Sequence, residues 1–209
     1  MNNTAALETV WRDVVATSYA ALADVVAGVR ADQWDLPTPC EQWSVTQVVQ
    51  HAAGDQLAYA AALGVGPGPA ENPFAPSGTI AGEPSALVRA AVEQTAAAWS
   101  TVADTTPTVP TPLPHGELPT AVAATMAALD AAVHAWDIAV ATGQPSPLTD
   151  DLATHLLAAA RTLHPAPGSG AEAELLEPLR QWGAYAPVVE APTITPVEAL
   201  LHHLGRPTA

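Results

Sequence analysis

The 209-residue chain sets 21 acidic side chains against 6 basic ones, a formal charge of −15, and 49% of it is hydrophobic. That length suits one domain, residues 1–209, with a single well-buried core, and its negative field repels nucleic acid and anionic membranes. No apolar run nears the roughly twenty residues of a spanning helix, and the start at Met1 lacks a signal peptide's basic and apolar stretches, so a cytoplasmic monomer or homodimer acting on a small molecule is expected.

Leu7, Val10, Trp11, Val14, Val15, Tyr19, Leu22, Val25, Val26 and Val29 follow the i, i+3, i+4, i+7 rhythm of a long amphipathic helix over about 5–29. Pro37 and Pro39 then force an extended connection. Ser44 with Gln47 three residues on reads as a capping box for a second helix over 44–63. Residues 64–83 are rich in Gly, Pro, Ala and Ser and form a loop longer than bundle connections usually are, a length typical of disorder or of lids. Pro84 suits the first position of a third helix over 84–104. A Thr/Pro-rich stretch follows, and Pro119 opens a fourth helix over 119–142 that Gly143 closes as a left-handed cap. A shorter helix is expected over 150–163, then an irregular segment with Trp182 and Tyr185, then a helix over 197–204. The whole reads as an all-α, antiparallel four-helix bundle at about 5–143 with long loops and a C-terminal extension of short helices at about 144–209.

Asp130 and His134 are four apart, so on a helix they share one face and can share a cation. His51 could add a third ligand from a neighbouring helix. Two imidazoles and a carboxylate suffice for a divalent transition metal with one coordination position open, zinc foremost, nickel or iron as alternatives. The competing reading is a buried His–Asp pair that stabilises the fourth helix. Asp137, one turn beyond His134, reads foremost as a structural hydrogen-bond partner, with replacing Asp130 as ligand or orienting His134 as the alternatives. Lone histidines are more often structural, the reading for His155, His164, His202 and His203, and His115 is expected in an exposed connection. Cys40 has no basic neighbour to lower its thiol pKa and reads as a packing residue. Trp11 and Trp99 read as core, Trp34 and Trp43 as wedges holding the linker, and Trp182 with Tyr185 as an apolar pocket wall.

Three runs carry a family resemblance: Trp34-Asp-Leu-Pro-Thr-Pro-Cys-Glu-Gln-Trp43-Ser-Val followed by His51, His134-Ala-Trp-Asp137-Ile-Ala-Val-Ala-Thr-Gly143, and Leu200-Leu-His-His-Leu-Gly-Arg206. In order and spacing they resemble the DinB-like four-helix metalloproteins, and within them the branch of the mycothiol-dependent maleylpyruvate isomerase N-terminal domain. The resemblance implies a metal held by His51, Asp130 and His134. It also implies mycothiol or a similar low-molecular-weight thiol as co-substrate. Asp130 stands where that branch usually has Glu, a carboxylate shorter by one methylene. The separate C-terminal domain of the isomerase is not among the 209 residues, so that enzyme's own activity is not expected.

The function implied is a metal-dependent thiol transferase or isomerase acting on a small electrophilic metabolite. Two alternatives are a metal-free isomerase or cyclase working in the bundle pocket, and a non-catalytic protein binding a small ligand or metal.

Overall fold

The computed structural model describes residues 4–40, 43–165 and 170–208. Met1-Asn-Asn, Glu41 and Gln42 of the first family-like run, 166–169 of the Pro/Gly segment and residue 209 lie outside them. Four long helices carry the fold: α1 (Thr4–Ala27), α2 (Val45–Ala62), α3 (Pro84–Ser100) and α4 (Thr120–Thr142). Each starts where local chemistry dictates. Ser44 accepts from the Gln47 N–H while the Gln47 side chain accepts from the Ser44 N–H, the reciprocal cap expected for α2. Pro84 opens α3 without losing a bond, because its missing N–H would have had no helical partner.

The apolar stripe of α1 is buried from Leu7 to Val26 apart from Val10, which is partly buried against the core. Trp11 and Trp99 meet edge-to-face at 5.9 Å, worth about 0.5–1.5 kcal/mol beyond burial, and the Trp99 indole N–H donates to the Tyr19 hydroxyl. Helix α4 is buried along its whole length from Thr120 to Ala139. Its many alanines let neighbouring helices approach closely, so it is the central element, and Gly143, at φ 70°, ends it as read from sequence.

Helix directions follow from the ties between them. Arg12 near the start of α1 bonds the Trp99 and Val102 carbonyls at the end of α3, so α1 and α3 are antiparallel. Gln56 of α2 reaches Ala127 while His51 reaches Asp130, so α2 and α4 are antiparallel too. Helices α1 and α4, by contrast, run the same way, for Gln144 beyond the end of α4 bonds the Val25 carbonyl near the end of α1. The bundle is therefore up, down, down, up, and α3 must start at the same end as α2. The chain has to travel back along α2, about 27 Å at 1.5 Å per residue. The 64–83 segment does this: Pro73 lies on His51 and Gly54, and Gln47 and Gln50 bond Pro76, Gly78 and Thr79. Its unusual length is that of a crossover.

Several short elements depart from the expected irregular segments. Residues Thr108–Pro110 (β1) and Glu117–Pro119 (β2) pair antiparallel, with Val109 and Leu118 turned into the core. Pro119 thus ends a strand and caps α4 rather than opening it. After α5 (Asp150–Ala160), strands β3 (Leu163–Pro165) and β4 (Glu172–Glu174) form a second hairpin, then come α6 (Glu177–Trp182) and α7 (Pro196–His203). Three-residue strands carry too few positions for alternation to register. Helices α1, α3 and α5 also stop two to four residues before their expected ends, the Leu163 expected in α5 belonging to β3.

Candidate metal centre

His51 lies on the second turn of α2 and Asp130 and His134 on consecutive turns of α4, where the antiparallel helices face each other. The structure brings all three together, with one candidate ligand atom from each within 4.8 Å of the others. All are under a tenth exposed, at 5%, 8% and 7%. Asp130 Oδ1 sits 3.2 Å from His51 Nε2 and 3.4 Å from His134 Nε2, and its other oxygen accepts from Gln56. The shorter arm of Asp130 therefore reaches both imidazoles.

What holds the rings decides their chemistry. His51 Nδ1 lies 2.9 Å from the Pro73 carbonyl, which can only accept, so Nδ1 carries a proton and donates it. His134 Nδ1 lies 3.0 Å from Asp137 Oδ2, with the same consequence. Asp137 is fully buried and takes a two-pronged bond from Arg206, 2.9 Å from Nε to Oδ1 and 2.7 Å from Nη2 to Oδ2. Asp137 is thus the structural hydrogen-bond partner expected foremost, and its bond to Nδ1 also orients His134. Both rings are fixed with Nε2 turned inward, and two nitrogen lone pairs and a carboxylate oxygen converge. Three acceptors in a dry site repel one another unless a proton or a metal cation lies between them.

Without metal, a proton answers. Burial alone would lower the His134 pKa, but Asp130 and then Asp137 outweigh it and raise it to about 10. Burial likewise works to raise Asp130, and His134 with His51 holds it well below the usual carboxylate range. Asp137 is kept low by Arg206 against the same burial.

Three neighbours were not assigned here from sequence. Asp55, one turn beyond His51 on α2, is buried, and burial followed by repulsion from Asp130 raises its pKa well above normal. Its i+4 spacing from His51 was the available signal. Cys40, read as packing, is half-buried with its sulfur among ligand atoms of His134 and Asp137 that lie within 4.8 Å of one another, and burial pushes its thiol pKa up. Phe74 of the crossover packs edge-on to His51 at 5.2 Å. Trp43, expected as a linker wedge, lies 4.7 Å from the His51 ring and is part of the site. His115 corrects another expectation, being half-buried against His164 at 5.3 Å rather than exposed.

An all-α, DinB-like bundle whose second and fourth helices present two histidines and a carboxylate to one point defines the class of protein. Residues 15–139 match the family described as the mycothiol maleylpyruvate isomerase N-terminal domain, and the chain belongs to that family. An uncharacterized protein of Mycobacterium tuberculosis strain H37Rv is 37% identical over 145 residues, covering 68% of this chain and 73% of its own length, and one from strain CDC 1551 / Oshkosh matches to the same extent. No solved structure matches the chain. No helix among the described residues is long and apolar enough to cross a membrane.

Proposed function

We propose that this protein is a thiol-dependent transferase or isomerase in which His51, Asp130 and His134 hold a divalent transition metal, zinc foremost. The observation that carries this reading is the anchoring of both Nδ1 atoms, 2.9 Å from the Pro73 carbonyl and 3.0 Å from Asp137 Oδ2. The Pro73 carbonyl and Asp137 accept from Nδ1–H of the two rings, which turns both Nε2 atoms toward Asp130 Oδ1 as a preorganised set of donors for a cation. A metal bound there lowers the pKa of a coordinated thiol, so that a thiolate is available at neutral pH. The family name points to mycothiol as that thiol.

In the reaction proposed, the thiol loses its S–H proton and its sulfur bonds to the electrophilic carbon of an activated C=C bond, whose π pair moves to the neighbouring carbon and takes the proton up there. For an isomerase the adduct turns about the resulting single bond and the same steps run in reverse, releasing the thiol. Asp55, whose carboxyl is pushed well above the ordinary carboxylate range by burial and then by Asp130, is the buried acid beside the centre. Asp137 and Arg206 keep His134 in one orientation, and the crossover shields the site from bulk water. Elemental analysis of the purified protein, together with thiol consumption in the presence of an electrophile, tests the reading. About one metal ion per chain, lost together with thiol consumption in His51→Ala, supports it; a metal-free protein that retains full activity overturns it.

A further inference from the structure

We propose that the groove between α1 and α3 binds an unbranched alkyl carboxylate, its tail along the groove and its head on Arg89. The groove has a volume of about 400 Å³, within the usual range of small-ligand pockets. It is separate from the candidate metal centre, which lies between α2 and α4. The rings of Trp11, Tyr19 and Trp99, each 5% exposed or less, form its floor. Ala16, Ala20 and Ala96 border it, and their small side chains leave open the space that larger ones would fill. The groove follows α3 from Arg89 to Ser100, about 16 Å at 1.5 Å per residue. A narrow apolar trough of that length between antiparallel helices suits an extended chain.

Charge selects the head. Two of the chain's 6 basic residues line the groove against 1 of its 21 acidic ones, the reverse of the balance over the whole chain. Arg12 is committed: its guanidinium lies 4.0 Å above the Trp11 ring, pairs with Asp104 and donates to the Trp99 and Val102 carbonyls. It therefore walls the end of the groove where α1 begins and α3 finishes. Arg89, at the opposite end, is exposed. Among the described residues it has no ion pair, not even with Glu93 one turn along α3, so its fork is open to both oxygens of a carboxylate.

A second copy of the chain fits the groove less well. A two-fold contact pairs a face with itself, and the long side chains that rise from this face are Arg12, Arg89 and Glu93. The exposed large hydrophobic residues, Phe74, Val140, Leu163, Trp182, Val188 and Ile194, all lie off it. Two such faces in contact would leave the groove unfilled, whereas an alkyl tail brings the apolar volume that they lack.

Calorimetric titration of the full chain with two probes of equal tail length tests this: decanoate, and decyltrimethylammonium, for which Glu93 would be the partner. Decanoate is expected to bind roughly tenfold more tightly than the cation. Arg89→Gln should weaken decanoate at least fivefold, and Ala20→Phe, which puts a ring into the groove, at least tenfold. Both positions are exposed on helices, so melting temperatures should hold and show that the variants fold. A carboxylate bound to a metal at His51 would ignore both substitutions. Decanoate binding that is unchanged in either variant therefore overturns the proposal, as does a cation bound as tightly as decanoate. Sedimentation equilibrium of the same proteins covers the remaining occupant: a wild-type dimer that Ala20→Phe splits gives the groove to a second copy and overturns the proposal, and an oligomeric state that the substitution leaves unchanged supports it.

Discussion

Asp130 is the residue on which the centre turns, because one of its oxygens faces both imidazoles. Asp130→Ala leaves two inward-facing nitrogens in a dry site and reduces the Gln56 amide to its bond with the Ala127 carbonyl. Metal affinity should fall by about 10- to 100-fold, and the metal-free protein should lose about 1–3 kcal/mol through orphaned polar groups, as read by calorimetric metal titration and urea unfolding. The pH dependence follows from His134. Its pKa in the folded, metal-free protein is raised from 6.5 to about 10, so the stability it contributes is full below about 6.5 and is lost as pH rises through about 10. A metal must expel that proton. Zinc titrations at pH 8 in buffers of different ionisation enthalpy should therefore show release of about one proton per ion bound, and affinity should keep climbing above pH 7 instead of levelling off near the 6.5 of a free imidazole. Proton-neutral binding at pH 8 would contradict the geometry.

At the level of elements, the crossover does more than connect α2 to α3. Its Pro73 carbonyl sets the tautomer of His51, and it can do so because Gly54, one turn along α2, has no side chain: a Cβ there would lie 3.0 Å from Pro73 Cγ. Gly54→Ala gives α2 a better helix former, worth about 1 kcal/mol in isolation, yet it pushes against Pro73. The expected outcome is a protein of nearly unchanged helicity whose zinc affinity drops several-fold, measured by competition with a chromophoric chelator. Unchanged affinity would mean that the Pro73 bond does not position His51. The short hairpins also act at this scale, since β1 and β2 plug Val109 and Leu118 into the core beside the start of α4.

On the scale of the whole molecule, Arg206 ties the C-terminal extension to the centre of the bundle. Its partner Asp137 has no exposure, so Arg206→Ala would leave a buried carboxylate with only the His134 ring as its ionic partner, a loss of about 3–5 kcal/mol, and His134 would lose a fixed anchor. Arg206→Lys keeps the charge but not the fork and should recover only part of the stability. Thermal unfolding of the two variants checks both statements, and equal melting points for wild type and Arg206→Ala would refute them. The four long helices were legible in the sequence because each carries its own period, cap or terminal glycine within a few residues. His51, Asp130 and His134 were legible through i, i+4 spacing and family resemblance. Phe74 was not, because nothing local in a loop says which buried point it faces, and Asp55 offered only its i+4 spacing from His51.

Local chemistry along the chain thus determined the helices, their ends and the residue types able to hold a cation, since propensity, capping and the 3.6-residue period act between near neighbours. Tertiary structure alone decided the up, down, down, up order, the passage of the crossover over His51, the bond between Arg206 and Asp137 across 69 positions, and the inward turn of both Nε2 atoms. Each depends on which groups meet after the helices pack, and burial then gives those meetings their force by removing the water that would have screened them.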